Sequence, residues 1–252
     1  QYLEASDLCK KFKDFATLGI IYRHLGLIEL NNNDPEKSIK YLIQANQIHQ
    51  ESKHQIAMDT TTLFLAQAYL RNDDLENATK YIDQAIMLTN RRRHSDKSKG
   101  FDEYYTLPAR CVQALINAKK DLVNSDKLNT ILDEIKTLHQ DKHKGRELWW
   151  LAQAYYLAKD FKKSQECQKL AQDELYRKAD RIRDEKIKKD YLELPPLHKE
   201  IFMKIEDVDL VNTKDNLAEE EDLRKTDEPS IYKFCPSCGF NNENLFKFCP
   251  SC

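Results

Sequence analysis

The chain has 252 residues, of which 40% are hydrophobic and 33% are charged, and its formal net charge at pH 7 is -2. This balance excludes an overall field that attracts nucleic acid or a membrane, and five Gly with seven Pro are few for a sheet protein with many tight turns. No apolar run approaches the roughly 20 residues of a membrane span, and the first residues lack the features of a signal peptide. We expect a mostly helical, cytoplasmic protein. Because the chain starts at Gln1 and stops at a metal-type cysteine, we also expect a piece of a longer protein.

The first segments already show helical periodicity. Residues 1–14 are predicted to form one helix. From Phe15 the apolar residues recur at spacings of three and four, so they share one inward face of a second helix. Asp34 can cap the next helix and Pro35 can take its first position, which predicts a turn there and a third helix over residues 36–49.

The pentapeptide Leu-Ala-Gln-Ala-Tyr occurs at residues 65–69 and again at 151–155. Each copy is followed by a polar turn and a second helical segment, which indicates a repeated helix-turn-helix unit. An alignment on the turns predicts four stacked units at about residues 19–52, 59–92, 105–140 and 145–178, the third of them degenerate. Small residues are expected where the two helices of a unit approach most closely; the pairs are Gly26 with Ser38, Ala66 with Ala78 and Ala152 with Ser164, whereas the third unit has Ile116 with Leu128.

This spacing resembles the tetratricopeptide repeat, whose pattern of large, Leu-Gly, aromatic and alanine positions recurs over about 34 residues. The second and fourth units keep Leu-Ala, with Tyr69 or Tyr155 at the aromatic position, whereas the first and third units have Glu29 and Lys119 there. The resemblance covers about residues 19–175 and implies an all-α solenoid of helical hairpins. It also implies that the first helices line a concave surface that binds a protein segment.

After Phe161 a long charged stretch lacks Gly and Pro. It predicts one long helix, or two with a break near Arg183, then a short helix that ends the solenoid at residue 205 as part of a polar cap. Residues 190–201 resemble the end of the repeat region in large bacterial signalling proteins that join ATPase or nucleotide-cyclase domains to such repeats. That resemblance implies a regulatory C-terminal region whose catalytic domain lies upstream, and it makes His198 a structural residue.

Residues 206–230 lose the hydrophobic pattern and gather acidic side chains, which predicts a flexible linker. Two identical Cys-Pro-Ser-Cys sequences follow it, ten residues apart. Two thiolates three residues apart can bind one metal ion, and two such pairs make a tetrahedral four-sulfur site for which zinc is the preferred ion. Residues 231–252 resemble a minimal zinc ribbon; two disulfides or an iron cluster are the alternatives. The expected ligands of a structural zinc are Cys235, Cys238, Cys249 and Cys252.

The sequence contains no Gly-rich phosphate loop, no Gly-x-Ser-x-Gly and no His-Glu-x-x-His. The other cysteines, Cys9, Cys111 and Cys167, stand alone in helical stretches, as expected for core residues. We therefore predict a non-catalytic scaffold for protein-protein interaction. Two alternatives remain: the regulatory region of a signalling enzyme, and a nucleic-acid-binding adaptor that acts through the ribbon. The acidic linker disfavours the adaptor because it repels phosphates.

The repeat register assigns side chains to the concave surface that the first helices are expected to line. Arginines, amides and aromatic residues there can bind an extended acidic peptide through charge-assisted hydrogen bonds; the alternative is an ordinary solvated helix face. Of the adjacent Trp149 and Trp150, one is expected in the core and the other in this groove. The predicted groove residues are Arg23, Leu27, Gln67, Arg71, Arg110, Gln113, Asn117, Arg146, Trp149, Gln153 and Tyr156.

Overall fold

The computed structural model describes residues 2–52, 55–95, 106–137 and 144–207. Within these ranges the regular structure is α-helical and no strand occurs, as the sequence predicts. None of the helices described is long and apolar enough to cross a membrane. In chain order they are α1 (Tyr2–Phe12), α2 (Phe15–Asn31), α3 (Pro35–Glu51), α4 (Gln55–Arg71), α5 (Leu75–Ser95), α6 (Leu107–Lys119), α7 (Ser125–Thr137), α8 (Gly145–Leu157), α9 (Phe161–Ala179), α10 (Glu185–Glu193) and α11 (Pro196–Phe202).

The chain divides into two compact units, Gln1–Ala171 and Gln172–Cys252. The predicted repeats correspond to the hairpins α2–α3, α4–α5, α6–α7 and α8–α9, each a first helix followed by a second helix; α9 continues into the second unit. The predicted ribbon and nearly all of the predicted linker lie outside the described residues.

One backbone geometry recurs at the tips of the hairpins and also between α1 and α2. A residue with positive φ follows the end of the preceding helix by one or two positions; these residues are Lys13, Asn33, Asp73, Asp121 and Lys159. In every case except Asp121 the next residue is an aspartate whose carboxylate accepts a hydrogen bond from the backbone N–H three residues later. This aspartate caps the following helix, because the first N–H groups of a helix lack acceptors within it. The capping aspartates are Asp14, Asp34, Asp74 and Asp160, and Asn124 takes this role after Asp121.

The predicted small positions are confirmed by close contacts within the hairpins. Ser38 Oγ donates to the carbonyl oxygen of Gly26 at 2.7 Å, and Ser164 Oγ donates to that of Ala152 at 2.8 Å. A Cβ on Gly26 would lie 2.5 Å from Leu42 Cγ, so the glycine is needed for close approach. The sequence alignment therefore gives the correct register for the first and fourth hairpins.

Apolar packing between neighbouring hairpins forms the core of the first two repeats. Leu42 of α3 and Leu65 of α4 are fully buried together with Ala68, and Phe64 and Tyr81 pack against them. Such burial stabilises each large aliphatic side chain by about 2 kcal/mol. Phe15, predicted to point inward, is instead half exposed because it is the first residue of α2, next to the turn that follows α1.

The third hairpin departs from the others. α6 packs more extensively against α8, the next first helix, than against its own partner α7. Ile116 and Leu128 are both buried at the positions that are small elsewhere, and two large side chains at the closest approach hold α6 and α7 apart. Buried residues consequently lie nearly all round α8.

The second compact unit begins with the C-terminal part of α9. Gln172 Nε2 donates to the carbonyl oxygen of Ile201 at 2.9 Å, and the rings of Tyr176 and Phe202 lie 5.3 Å apart. The chain leaves α9 after Ala179 and starts α10 at Glu185; the predicted break near Arg183 is therefore correct.

Candidate functional site

The first helices α2, α4, α6 and α8 lie in a row, each in contact with the next. Their exposed side is the surface on which the sequence places a binding groove. The predicted groove residues form three groups in the structure. Two are buried, and three interact with acidic side chains of the repeats. The other six are partly exposed.

Gln67 and Trp149 do not line an open groove. Gln67 is only 4% exposed and Trp149 is fully buried, so both assignments are wrong as groove residues. Trp150 is buried as well, which contradicts the expected division of the two tryptophans. The reason is the tight α6–α8 contact, which encloses α8 on sides that an evenly spaced solenoid would leave open.

The amide of Gln67 is unusual in its environment. Its Nε2 is buried and has no hydrogen-bond partner among the described residues. A buried amide nitrogen without an acceptor costs about 1–3 kcal/mol. Helix α4 therefore contains a buried hydrogen-bond donor, Gln67 Nε2, that has no acceptor among the described residues.

Arg110 and Gln113 interact with acidic side chains of second helices. Arg110 forms an ion pair with Glu134 of α7, and Gln113 Nε2 donates to Asp83 Oδ1 of α5 at 3.2 Å. Both side chains remain partly exposed, so their assignment to the concave surface stays a prediction. The antiparallel register that sets Ile116 opposite Leu128 also sets Arg110 level with Glu134, so this pair could have been found from the sequence.

Arg146 is held within α8. Its Nη2 lies 3.5 Å from Glu147 Oε1, and its guanidinium carbon lies 5.1 Å from the centre of the Trp150 ring. Such stacking on an aromatic face stabilises a guanidinium by about 0.5–1 kcal/mol at an exposed site. Arg146 thus interacts with two neighbours in the first turns of α8, and its assignment to the groove stays a prediction.

The remaining predicted residues keep exposed surface. We call them the first-helix face; they are Arg23, Leu27, Arg71, Asn117, Gln153 and Tyr156, each of them partly exposed. Tyr156 is supported by Phe161, with ring centres 5.4 Å apart and an edge-on arrangement. The backbone carbonyl of Asn117 accepts from Leu122 N at 2.8 Å, which fixes the end of α6.

The charges of the first helices are distributed unevenly between surface and interior. Their carboxylates are Glu29, Asp59 and Glu147. Asp59 and Glu147 are buried, and burial raises the pKa of the partly buried Glu29. Arg23 and Arg71 are partly exposed, so positive charge predominates on the first-helix face.

A histidine next to Arg23 adds no charge at neutral pH. His24 stacks on the Tyr2 ring with centres 5.9 Å apart. Burial, together with the charge of Arg23, lowers the pKa of His24 to about 4. His24 is therefore neutral at pH 7 and contributes to packing, and the positive charge in this part of α2 is that of Arg23.

The lone cysteines have the features of core residues. Cys111 and Cys167 are fully buried, and burial raises the pKa of the Cys167 thiol to about 12; Cys9 is only partly buried. The cysteines predicted to bind zinc lie outside the described residues. Within the part of the chain that the structure describes, no group of three or more metal-type side chains comes together.

Residues 63–91 match the family model of the tetratricopeptide repeat. The match covers most of α4 and α5, the second of the predicted units. No curated protein and no solved structure matches the chain significantly. The chain thus has one segment that matches the tetratricopeptide repeat, and the described residues around it are helical; such repeats generally bind proteins, which supports a role in protein-protein interaction.

Proposed function

We propose that the chain is a non-catalytic scaffold whose first-helix face binds an acidic segment of a partner protein. The supporting observation is the charge distribution of the first helices: two of their three carboxylates, Asp59 and Glu147, are buried, while Arg23 and Arg71 are partly exposed. Arginine recognises carboxylates through charge-assisted hydrogen bonds. Asn117 and Gln153 add donors and acceptors for the partner's main chain, and Tyr156 adds apolar contact.

The arginines of the proposed surface belong to α2 and α4, whereas Asn117 belongs to α6, and Gln153 and Tyr156 belong to α8. The first helices touch only lightly from α2 to α4 and from α4 to α6, whereas α6 and α8 pack closely. We expect the acidic part of the bound segment to lie along α2 and α4, where both partly exposed arginines lie.

Arrays of acidic, neutral and basic peptides test the proposal. Acidic peptides should bind best, and the double substitution Arg23→Glu with Arg71→Glu should weaken binding about tenfold or more, since each charge-assisted hydrogen bond contributes about 1.5–3 kcal/mol. The matched control is Lys40→Glu with Lys127→Glu, which makes the same charge change at exposed sites on second helices. Unchanged binding by the arginine variant, or equal loss in the control, would contradict the assignment.

We also propose that the four C-terminal cysteines bind a structural zinc ion. Two Cys-x-x-Cys pairs offer the thiolate donors that suit a closed tetrahedral site, and such a site leaves no open position for a substrate. In so short a segment, metal binding would supply most of the folding free energy.

Metal analysis under reducing conditions tests this site. We expect about one zinc per chain, as in four-cysteine structural sites, with loss of the metal in Cys235→Ser. Cys9→Ser is the control and should keep its zinc. Iron in place of zinc, or no metal, would rule out the assignment. Retention on single-stranded nucleic acid at moderate salt would instead favour an adaptor role of the ribbon.

A further inference from the structure

The tip of the third hairpin is longer than the equivalent tips on either side of it. Five residues, 120–124, connect α6 to α7, whereas three residues connect α4 to α5 and α8 to α9. The longer tip carries two adjacent apolar residues: Leu122 is 64% exposed and Val123 is 37% exposed. Polar and small residues dominate turns, so two adjacent apolar side chains that face solvent here indicate a contact site.

The third tip lies between the tips of the second and fourth hairpins. Lys119 Nζ, at the end of α6, lies 3.3 Å from Asp73 Oδ1 in the second tip, and Lys120 Nζ donates to Thr79 Oγ1 of α5. On its other side, α6 packs closely against α8. Because the two helices of a hairpin are antiparallel, these tips share one edge of the stack, whereas α5 ends and α6 begins at the opposite edge. We call this edge the tip edge; it is formed by residues 72–76, 120–124 and 158–162.

The charges on the two sides of the third tip are opposite in sign. Residues 72–76 contain three carboxylates and no base, whereas residues 158–162 contain two lysines and one aspartate. Glu76 and Lys162 are both exposed. Each is the second residue of its helix, α5 or α9, so the acid and the base occupy equivalent positions on the two sides of the third tip.

We propose that the tip edge binds the tip edge of a second copy of this chain, with the two edges antiparallel. In this arrangement Leu122 and Val123 of one copy meet those of the other at the twofold axis, and Glu76 of each copy lies opposite Lys162 of the other. The same patch serves on both copies, which is the arrangement of a closed dimer. The apolar area at the centre is small, so the association is weak, and the two ion pairs mainly determine its direction.

Sedimentation equilibrium of the full chain, from micromolar to millimolar concentration, tests the proposal. A concentration-dependent dimer is expected, and Leu122→Glu should abolish it because each copy then places a charge at the apolar centre. Met87→Glu is the matched control and should leave the dimer intact, since Met87 is also exposed but lies about three helical turns along α5 from the tip edge. A wild-type chain that stays monomeric, as it would if the edge received a different protein, overturns the proposal, and so does a dimer that persists in Leu122→Glu. No residue of the tip edge belongs to the first-helix face, so this proposal and that of peptide binding can fail independently.

Charge reversal tests the antiparallel direction. Glu76→Lys and Lys162→Glu should each weaken the dimer about three- to tenfold, because two exposed ion pairs become repulsive. The double variant should recover the affinity of the parent, since every pair across the twofold axis is again opposite in sign. Lys169→Glu, at an exposed site inside α9, is the control and should leave the dimer unchanged. Failure of the double variant to recover, or equal weakening by the control, overturns the pairing.

Discussion

Single residues at the hairpin tips decide where one helix ends and the next begins. Lys159 has φ of 62°, and Asp160 directly after it caps α9 through the N–H of Lys163. The left-handed region is strained for a residue with a Cβ. The tip geometry is therefore maintained by the aspartate cap and by packing of the two helices, at some cost in free energy at the lysine.

Lys159→Gly should stabilise the protein by about 0.5–1 kcal/mol, because glycine adopts positive φ without a steric penalty. This gain in stability is partly offset because glycine increases the conformational entropy of the unfolded chain. Urea unfolding followed by far-UV circular dichroism measures the change. Lys169→Gly, at an exposed site inside α9, is the matched control and should lose about 1 kcal/mol. If both substitutions lowered the free energy of unfolding, the backbone at Lys159 would not be strained.

The stability of the first repeat should depend on pH through His24. Its pKa in the folded state is about 4, below the ordinary value of 6.5, so the unfolded chain takes up a proton first as pH falls. The free energy of unfolding is therefore unaffected by this titration above about pH 6.5 and decreases as pH falls toward 4. The decrease is about 2 kcal/mol for this partly exposed ring.

Urea unfolding at about pH 7 and at about pH 4.5 checks this dependence. His24→Phe keeps an aromatic ring against Tyr2 and cannot titrate, so it should lose less stability over the same interval. Identical losses in both proteins would assign the pH dependence to other groups.

At the scale of elements, the sequence predicts the hairpins but not all of their packing. Gly26 with Ser38 and Ala152 with Ser164 mark the register because small residues are required where helices approach. The partners of Arg110 and Gln113 were missed, because a pattern of equivalent positions assumes that every first helix presents the same side to solvent. In the third hairpin Ile116 and Leu128 remove that equivalence, and α6 contacts α8 instead.

Leu128→Ala places the residue typical of the repeat pattern in the third hairpin, but it should destabilise the protein. Leu128 is buried between helices spaced to accept it, and its removal leaves a cavity that costs about 2–4 kcal/mol. The free energy of unfolding in urea measures the effect. Leu122→Ala, at an exposed position, should change stability by less than about 0.5 kcal/mol. A stability equal to that of the parent would mean that α6 and α7 close together.

At the scale of the whole molecule, the repeat organisation was predictable and the binding surface was predictable only in part. Arg23 and Arg71 keep the exposure that the register assigns to them, whereas Gln67 and Trp149 are buried. Burial depends on the distance between neighbouring first helices, which side chains from several repeats determine together. A pattern within one repeat cannot contain that information. The zinc cysteines remain a prediction from spacing alone.

Both tryptophans of the chain lie side by side in α8, and both are buried. Intrinsic fluorescence of this protein is therefore a local probe of the α6–α8 contact. Repeat proteins can lose their terminal units independently because each unit contacts only its neighbours. We expect the helical circular dichroism signal to decrease at lower urea concentrations than those at which the tryptophan emission shifts. If the two transitions coincided, the repeats would unfold as one cooperative unit.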